Sequence, residues 1–239
     1  MKSVSVIVPT YNEEKNIGKC LSALNGQSLP REEFEVIVVD GGSKDGTVKI
    51  AENLGAKVMR QASKGVGGAR NDGVYASAGD LIATTDADCM PPEVWLENIS
   101  EAFERDSLIK ALTGPLEPMI TENMGLLDSY NYRMAFKLAN LIRSTCYTHL
   151  CGANSAFRRD AFIEIGGYSD LARADDVEIG RRLPGKKIFD HDVSMKYSLR
   201  RIEKVGLSGY VIYCLGNDKG YLQKYVRDKI TDEWSAAKK

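Results

Sequence analysis

The segment 81–88, Leu81-Ile82-Ala83-Thr84-Thr85-Asp86-Ala87-Asp88, joins an apolar run to two carboxylates one residue apart. The apolar residues predict a buried strand, and the two aspartates follow at its carboxyl end. Side chains at positions i and i+2 of an extended segment point the same way, so Asp86 and Asp88 are expected to concentrate negative charge on the rim of a sheet. Carboxylates grouped in this way suit a hard divalent cation. The segment therefore predicts both a central strand and a candidate metal site.

Two further apolar runs precede this segment, and each leads into helical spacing. The first, 4–9, ends in Pro9, and the second, 35–40, ends in Asp40 before a glycine-rich turn. Alternating strands and helices predict an α/β fold with a mostly parallel, Rossmann-like sheet flanked by helices. Open sheets of this kind bind ligands at the carboxyl ends of their strands, so Asp40 is expected to lie on the same edge as Asp86 and Asp88. A further strand is expected within 109–116.

Composition limits the classes of function. The 239 residues carry a formal net charge of −1, with 43% hydrophobic and 27% charged residues, which predicts one sizeable core and no general attraction to nucleic acid. The five cysteines form no CxxC pair, which favours reduced thiols in a cytosol. The sequence predicts no secretion signal, and it contains no apolar run of the ~18 residues that cross a bilayer. We expect a cytoplasmic protein, with at most a peripheral contact at the inner face of the membrane.

The first turn argues against the common nucleotide cofactors. A dinucleotide fingerprint needs glycines between the first strand and helix, and this chain has Pro9-Thr10-Tyr11-Asn12-Glu13 there. The glycines within 65–68 follow the third strand and lack the full pattern, and no Walker A sequence is present. These absences argue against an NAD-binding protein and against P-loop phosphotransfer.

After residue 118 the alternation of strands and helices stops. Apolar residues at helical spacing predict one long helix, and they are Leu127, Tyr130, Met134, Leu138 and Leu141. A helix with one apolar face usually packs that face on the core. We therefore expect this stripe to pack on the sheet, in preference to forming a membrane or partner surface.

Four segments in order resemble glycosyltransferases of family 2. They are Val6-Ile7-Val8-Pro9-Thr10-Tyr11-Asn12-Glu13, Val38-Val39-Asp40-Gly41-Gly42-Ser43-Lys44-Asp45-Gly46-Thr47, Gly68-Ala69-Arg70-Asn71 and Asp86-Ala87-Asp88. The second half is similar through 152–159 and through Asp175-Asp176 before Arg182-Leu183. The resemblance implies a single GT-A domain over 1–205, with a nucleotide-sugar half (1–118), an acceptor-side half (119–205) and a C-terminal extension (206–239) that we expect to be helical.

The resemblance also implies which residues hold the donor nucleotide: Pro9, Thr10, Tyr11, Glu13, Asp40, Arg70 and Asp86. Asp40 would accept the ring N–H of uracil, Tyr11 would cover the base, and Arg70 would lie by the base and phosphates. The residues themselves leave a structural alternative open, in which Asp40 is a turn acid.

Asp86 and Asp88 match the DxD motif of the family. The match implies that Asp86 contacts the ribose or a metal-bound water and that Asp88 ligates Mn²⁺ or Mg²⁺, although a pair of helix-capping acids would show the same pattern. His191 is a candidate third metal ligand, or else a structural histidine. Arg200 and Arg201 would reach phosphates of the donor or acceptor, or else form a solvated basic face.

The candidate general base is Asp176. Sugar transfer needs a group that takes the proton of the attacking hydroxyl, and the family uses the second member of a Glu-Asp pair. Here the pair is Asp175-Asp176, so Asp175 would position the acceptor or tune the pKa of its neighbour. An acidic helix N-terminus is the alternative for both residues.

The sequence thus predicts transfer of a single sugar with inversion from a nucleotide diphosphate sugar, UDP-linked in preference to GDP-linked. The acceptor would be the hydroxyl of a glycan or small molecule, or a lipid phosphate. Processive synthesis is disfavoured because the chain lacks the Gln-x-x-Arg-Trp motif of such enzymes. A polyprenyl-phosphate sugar synthase using GDP-mannose or UDP-glucose, a non-catalytic nucleotide-sugar binding module and a sugar nucleotidyltransferase remain as alternatives. A lipid acceptor would suit the aromatic residues Tyr210, Tyr213, Tyr221 and Trp234 at a membrane interface.

Overall fold

A computed structural model describes residues 3–145, 150–170, 175–200, 202–203 and 206–207. The side chain of Asp175, the residue Arg201 and the interfacial aromatic residues proposed in 210–234 lie outside the described residues. The helical extension expected over 206–239 does so as well, apart from two residues.

The described chain forms nine strands and seven α-helices. The strands are β1 (Val4–Thr10), β2 (Phe34–Asp40), β3 (Lys57–Arg60), β4 (Leu81–Thr84), β5 (Ile109–Thr113), β6 (Leu116–Pro118), β7 (Ser155–Arg158), β8 (Lys186–Phe189) and β9 (Met195–Tyr197). The helices are α1 (Ile17–Asn25), α2 (Thr47–Asn53), α3 (Gly65–Tyr75), α4 (Trp95–Arg105), α5 (Leu126–Thr145), α6 (Arg159–Glu164) and α7 (Asp175–Arg182).

Seven strands form the main sheet in the order β3-β2-β1-β4-β7-β5-β8. All neighbouring pairs are parallel except those of β7, which runs antiparallel to β4 and to β5. The mostly parallel α/β fold is therefore confirmed. The strand expected within 109–116 divides instead at Gly114 and Pro115, and β6 pairs with β9 in a separate two-stranded sheet.

The register of the central strands brings their carboxyl ends together. Thr10 at the end of β1 is the partner of Asp40 at the end of β2, and Ile7 is the partner of Thr84 at the end of β4. Helix α3 lies close to β1 and β2, since a Cβ on Gly73 would stand 2.5 Å from a methyl carbon of Ile7. This close approach needs a glycine, and it brings residues of α3 up to the ligand edge.

The side chain of Asn154 joins four parts of the protein just before β7. Its Oδ1 accepts a hydrogen bond from Trp95 Nε1 (2.9 Å), and its Nδ2 donates to the carbonyls of Val193 (2.8 Å) and Pro115 (3.2 Å). Its backbone carbonyl accepts a hydrogen bond from Thr113 Oγ1 (2.6 Å). Because Asn154 is fully buried, these bonds replace water for every polar group involved. They hold α4, the β5–β6 turn and the β8–β9 loop to the start of β7.

Helix α5 packs on the protein with the opposite face to the one expected. Its buried residues are Ala135, Phe136, Ala139 and Arg143. The predicted stripe Leu127, Tyr130, Met134, Leu138 and Leu141 is exposed. The expectation that this stripe packs on the sheet is wrong, because two alanines allow close approach and the helix is anchored by polar bonds. Arg143 Nη2 donates to Thr113 Oγ1 (2.9 Å) and to the carbonyl of Gly114 (3.0 Å).

Helix α5 also carries several charges, and among the described residues no helix is long and apolar enough to cross a bilayer.

Replacing Asn154 by alanine should lower the free energy of unfolding by about 2–4 kcal/mol, because buried donors and acceptors on three elements lose their partner. Urea denaturation monitored by circular dichroism measures this loss. The matched control is Asn25→Ala, which removes an exposed bond to the carbonyl of Leu54 and should cost about 0–1 kcal/mol. Equal small losses in the two variants would show that the Asn154 network is not essential.

Candidate active site

Asp86 and Asp88 lie in a turn beyond β4, which ends at Thr84. The N–H of Cys89 donates to the carbonyl of Asp86 (3.0 Å), so the chain has already turned at this point. The expected extended geometry is therefore wrong. The turn nevertheless brings the side chains together, since a carboxylate oxygen of each aspartate and the Sγ of Cys89 lie within 4.8 Å of one another.

The donor atoms of this turn fit a hard divalent cation held by oxygen. Burial raises the pKa of the Cys89 thiol well above its usual value, and the negative charges of Asp88 and Asp86 raise it further. A neutral thiol is a poor ligand for Mg²⁺ or Mn²⁺, whereas two carboxylates are suitable ligands that leave positions for phosphate oxygens and water. The donor set therefore indicates a two-carboxylate site.

His191 is not part of this group in the described structure. It is exposed, it follows β8, and its ring stands at 5.1 Å (centroid to centroid) from that of Phe189. The neighbouring Asp190 is paired with Arg105 at 3.0 Å. The structure does not group His191 with Asp86 and Asp88, so its role as a ligand stays a prediction.

Arg70 forms a buried ion pair with Asp86. Its Nη2 lies 2.7 Å from Asp86 Oδ1, and 5% of the Arg70 side chain is exposed against 25% for Asp86. The guanidinium also stands over the ring of Tyr168 at 5.7 Å. A Cβ on Gly152 would lie 2.5 Å from the guanidinium carbon, so the slot that Arg70 occupies needs a glycine at this position. Arg70 thus positions Asp86, and its predicted contact with the nucleotide stays a prediction.

Arg200 bridges two acids from distant parts of the chain. Its Nη2 lies 2.6 Å from Glu13 Oε1 and 3.1 Å from Asp88 Oδ2. Its Nη1 donates to the other oxygen of Glu13 at 3.1 Å. The guanidinium is 42% exposed, so it covers the acids from the solvent side. The sequence suggested a phosphate ligand or a solvated face, and no local pattern could have revealed a contact across 112 residues.

The predicted base-binding residues meet at the ends of β1 and β2. Asp40 is buried, and its carboxylate accepts hydrogen bonds from the N–H groups of Gly42 (2.9 Å) and Ser43 (3.0 Å) and from the Ser43 hydroxyl. It therefore caps its own turn, as the structural alternative had it, and its bond to a base stays a prediction. Thr10 lies beside it in the sheet, with a buried hydroxyl that lacks a partner among the described residues.

Two other predicted residues flank this point, Pro9 within β1 and Tyr11 just after it. Pro9 is buried and Tyr11 is half-buried. The carboxylate of Glu13 binds Arg200, its N–H donates to Thr47 Oγ1 (2.7 Å), and its contact with the nucleotide stays a prediction. The structure therefore brings Pro9, Thr10 and Tyr11 to the edge and gives Glu13 a positioning contact.

Asp176 is the second residue of α7. Its Oδ1 accepts the N–H of Val177 at 2.9 Å. Burial raises the pKa of the Cys151 thiol, the positive charge of Arg143 lowers it in part, and the negative charges of Asp176 and Asp86 add to the rise. The role of Asp176 as the base stays a prediction.

Open α/β sheets bind their ligands at the carboxyl ends of the strands, where this chain places Asp40, Asp86 and Asp88. The family model described as glycosyl transferase family 2 matches residues 5–166, which is more than half of the chain. The chain belongs to this family.

Curated relatives match part of the chain. Glycosyltransferase AglE of Haloferax volcanii is 43% identical over 100 residues, which cover 39% of this chain and 33% of that protein. A dolichyl N-acetyl-alpha-D-glucosaminyl phosphate 3-beta-D-2,3-diacetamido-2,3-dideoxy-beta-D-glucuronosyltransferase of Methanococcus voltae is 30% identical over 152 residues, 61% of this chain and 45% of its own. The matched region thus spans less than half the length of these relatives.

Solved structures show the same GT-A fold. Residues 1–349 of TarS from Staphylococcus aureus, in complex with UDP-GlcNAc, align with a TM-score of 0.67 at 22% identity, covering 94% of this chain and 69% of that one. The mannosyltransferase PcManGT of Pyrobaculum calidifontis, in complex with GDP-Man and Mn²⁺, aligns with a TM-score of 0.65 at 23% identity, covering 94% and 68%.

Replacing Arg70 by methionine should lower the free energy of unfolding by about 2–4 kcal/mol, because the partly buried carboxylate of Asp86 loses the cation that pairs with it. The double variant Arg70→Met with Asp86→Asn should recover at least half of that loss, since the uncompensated charge is gone. Urea denaturation of the wild type, both single variants and the double variant gives the coupling energy. Additive losses would contradict an energetic pairing of the two residues.

Proposed function

We propose that the protein transfers a single sugar from a nucleotide diphosphate sugar to an acceptor, with inversion at the anomeric carbon and with the help of a divalent cation. The observation that carries the proposal is the grouping of the Asp86 and Asp88 carboxylates just beyond the end of β4 in a GT-A fold. A UDP-sugar is the favoured donor. The similar fold of TarS in complex with UDP-GlcNAc supports this choice, and the GDP-Man complex of PcManGT makes GDP-mannose the alternative.

The diphosphate end of the donor is assigned to the acid turn. Asp88, together with Asp86, would hold Mn²⁺ or Mg²⁺, and such a cation neutralises the charge that grows on a diphosphate leaving group. Arg70 holds the carboxylate of Asp86 in one position, so ligand binding does not have to order this side chain. Arg200 already lies against Asp88, where its positive charge is available to the same anionic groups.

The nucleoside end is assigned to the edges of β1 and β2. Thr10 and Asp40 lie side by side there, with Tyr11 half-buried next to them. Tyr11 would stack on or cover the base, and a carboxylate at Asp40 suits a uracil N–H. Because Asp40 also caps its own turn, the turn 41–43 would hold it in place for that contact.

The acceptor is assigned to the side of Asp176. A carboxylate that faces the donor can take the proton of the attacking hydroxyl as the bond to the anomeric carbon forms. Attack from the face opposite the leaving diphosphate inverts that carbon. The name of the Methanococcus voltae relative, which includes a dolichyl-linked sugar phosphate, supports a lipid-linked acceptor over a free sugar.

Replacing Asp176 by asparagine should lower turnover by about 10²–10⁴-fold while UDP affinity stays within about twofold, because the base acts on the acceptor and not on the nucleotide. Thermal-shift screening with UDP-GlcNAc, UDP-glucose and GDP-mannose selects the donor, and release of its sugar to water or acceptor measures turnover. Glu178→Gln on the same helix is the matched control and should keep near wild-type turnover. Turnover that survives in Asp176→Asn would remove this residue as the base, and unaltered donor binding without any turnover in the wild type would favour a binding module.

Replacing Asp88 by asparagine should abolish the dependence of UDP affinity on Mn²⁺, which isothermal titration with and without a chelator measures.

Replacing Arg200 by glutamine removes the guanidinium that already binds the Asp88 carboxylate. Because a guanidinium and a metal cation compete for Asp88, the affinity for Mn²⁺ alone should rise at least about threefold in Arg200→Gln. A metal response that persists in Asp88→Asn would refute the metal assignment.

A further inference from the structure

Helix α5 presents an apolar face that nothing in the described structure covers. Six of the nine large hydrophobic side chains that are exposed in the described residues belong to this helix. They form the apolar stripe, which consists of Leu126 (92% exposed), Leu127 (72%), Tyr130 (61%), Met134 (46%), Leu138 (47%) and Leu141 (62%). The stripe is continuous, because its members from Leu127 onward recur at intervals of three and four residues.

The stripe is long and lies opposite the anchored face of the helix. At 100° per residue, it is centred about half a turn from the buried residues Ala135, Ala139 and Arg143. A helix of 20 residues is about 30 Å long, and the stripe exposes several hundred Å², at or above the largest apolar patch of a typical monomer, about 300–600 Å². A patch of this size marks a surface that binds something apolar.

The charges beside the stripe indicate which partner it suits. Arg133 and Lys137 are exposed and lie four residues apart along one flank, while Asn131 and Ile142 lie on the other. The carboxylate of α5, Asp128, falls on the side of Ala135 and Ala139. An apolar face bordered by basic residues is typical of a helix that lies in the interface of an anionic bilayer, with its cations at the phosphates.

A second copy of the chain is a poorer partner for the same face. In a symmetric antiparallel pair of helices the same flank of each helix faces its copy. Arg133 and Lys137 would then meet Arg133 and Lys137 of the partner, and like charges in contact destabilise the pair. A lipid surface instead offers negative charge to both residues.

We propose that α5 docks the protein on an anionic membrane surface, with the helix axis in the plane of the bilayer and the apolar stripe inserted among the acyl chains. Four charged residues along α5, among them Arg133 and Lys137, are incompatible with spanning the bilayer. The inference goes beyond the proposed reaction, since it follows from the stripe and its flanking charges alone.

Docking through α5 would also fix the orientation of the ligand edge. Arg143 ties the helix to Thr113 and Gly114 at the end of β5. Asn140 holds both the N–H (3.0 Å) and the carbonyl (2.8 Å) of Leu116. Because these bonds join α5 to β5 and β6, binding of the helix to a membrane would present the acid-bearing edge to an acceptor in that membrane in one orientation.

Flotation of the full chain with vesicles made of equal parts phosphatidylcholine and phosphatidylglycerol tests the proposal. The wild type should float with these vesicles and bind pure phosphatidylcholine at least about tenfold more weakly. Leu127→Asp with Leu138→Asp should lose at least about tenfold of the partitioning into the mixed vesicles. Arg133→Glu with Lys137→Glu should lose the preference for the anionic lipid.

Two controls separate the stripe from general surface effects. Leu108→Asp changes a leucine that is 69% exposed outside α5, and Lys49→Glu reverses an exposed charge on α2, so both should bind vesicles as the wild type does. Thermal melts and UDP binding should be unchanged in all variants, which keeps this test independent of the proposed reaction. Failure of the wild type to float, or flotation that survives in the Leu127 and Leu138 double variant, would overturn the proposal. If light scattering showed a dimer for the wild type and a monomer for this double variant, the stripe would be an interface with a second copy instead.

Discussion

The buried ion pair of Arg70 and Asp86 is the constraint on which the rest of the site depends. A guanidinium that is 5% exposed is tolerated only beside a negative charge, and the carboxylate it holds is the first of the acid turn. Several features serve this pair: Gly152 leaves the room that the guanidinium fills, Tyr168 stands over it, and Gly73 lets α3 approach the sheet. The direction in which Asp86 points is therefore set by packing on three separate segments.

Arg200 adds a second positive charge to the site, on the side that faces solvent. It binds Asp88 and Glu13 while it is 42% exposed, so it can leave these acids at far lower cost than Arg70 can leave Asp86. The turn that carries Asp86 and Asp88 thus has one buried cation, Arg70, and one solvent-exposed cation, Arg200.

The sequence predicted those features that depend on neighbouring residues. The apolar runs of β1, β2 and β4 identified the parallel core, and the acids at their ends identified the ligand edge. The direction of β7 could not be predicted, because the alternation of side chains in a strand is the same whether its neighbours run parallel or antiparallel. The turn at Asp86 was missed because the extended geometry of β4 was assumed to continue through Asp86 and Asp88, although aspartate itself favours turns. The Arg200 bridge joins residues 112 positions apart and leaves no trace in local spacing.

The error at α5 shows what a helical pattern leaves undetermined. Periodicity identifies which face of a helix is apolar, but the fold decides which face is covered. Here Ala135 and Ala139 allow contact with the sheet, and Arg143 and Asn140 replace hydrophobic burial with directed hydrogen bonds. The leucines thus contribute little to the stability of the described fold. At about 25 cal/mol per Å², covering several hundred Å² of stripe would release on the order of 10 kcal/mol before the costs of association. An anionic membrane supplies both the apolar environment and the negative charge that this face of α5 needs. Because Arg143 joins α5 to the end of β5, binding of the helix to such a membrane would set the orientation of the edge where Asp86 and Asp88 lie.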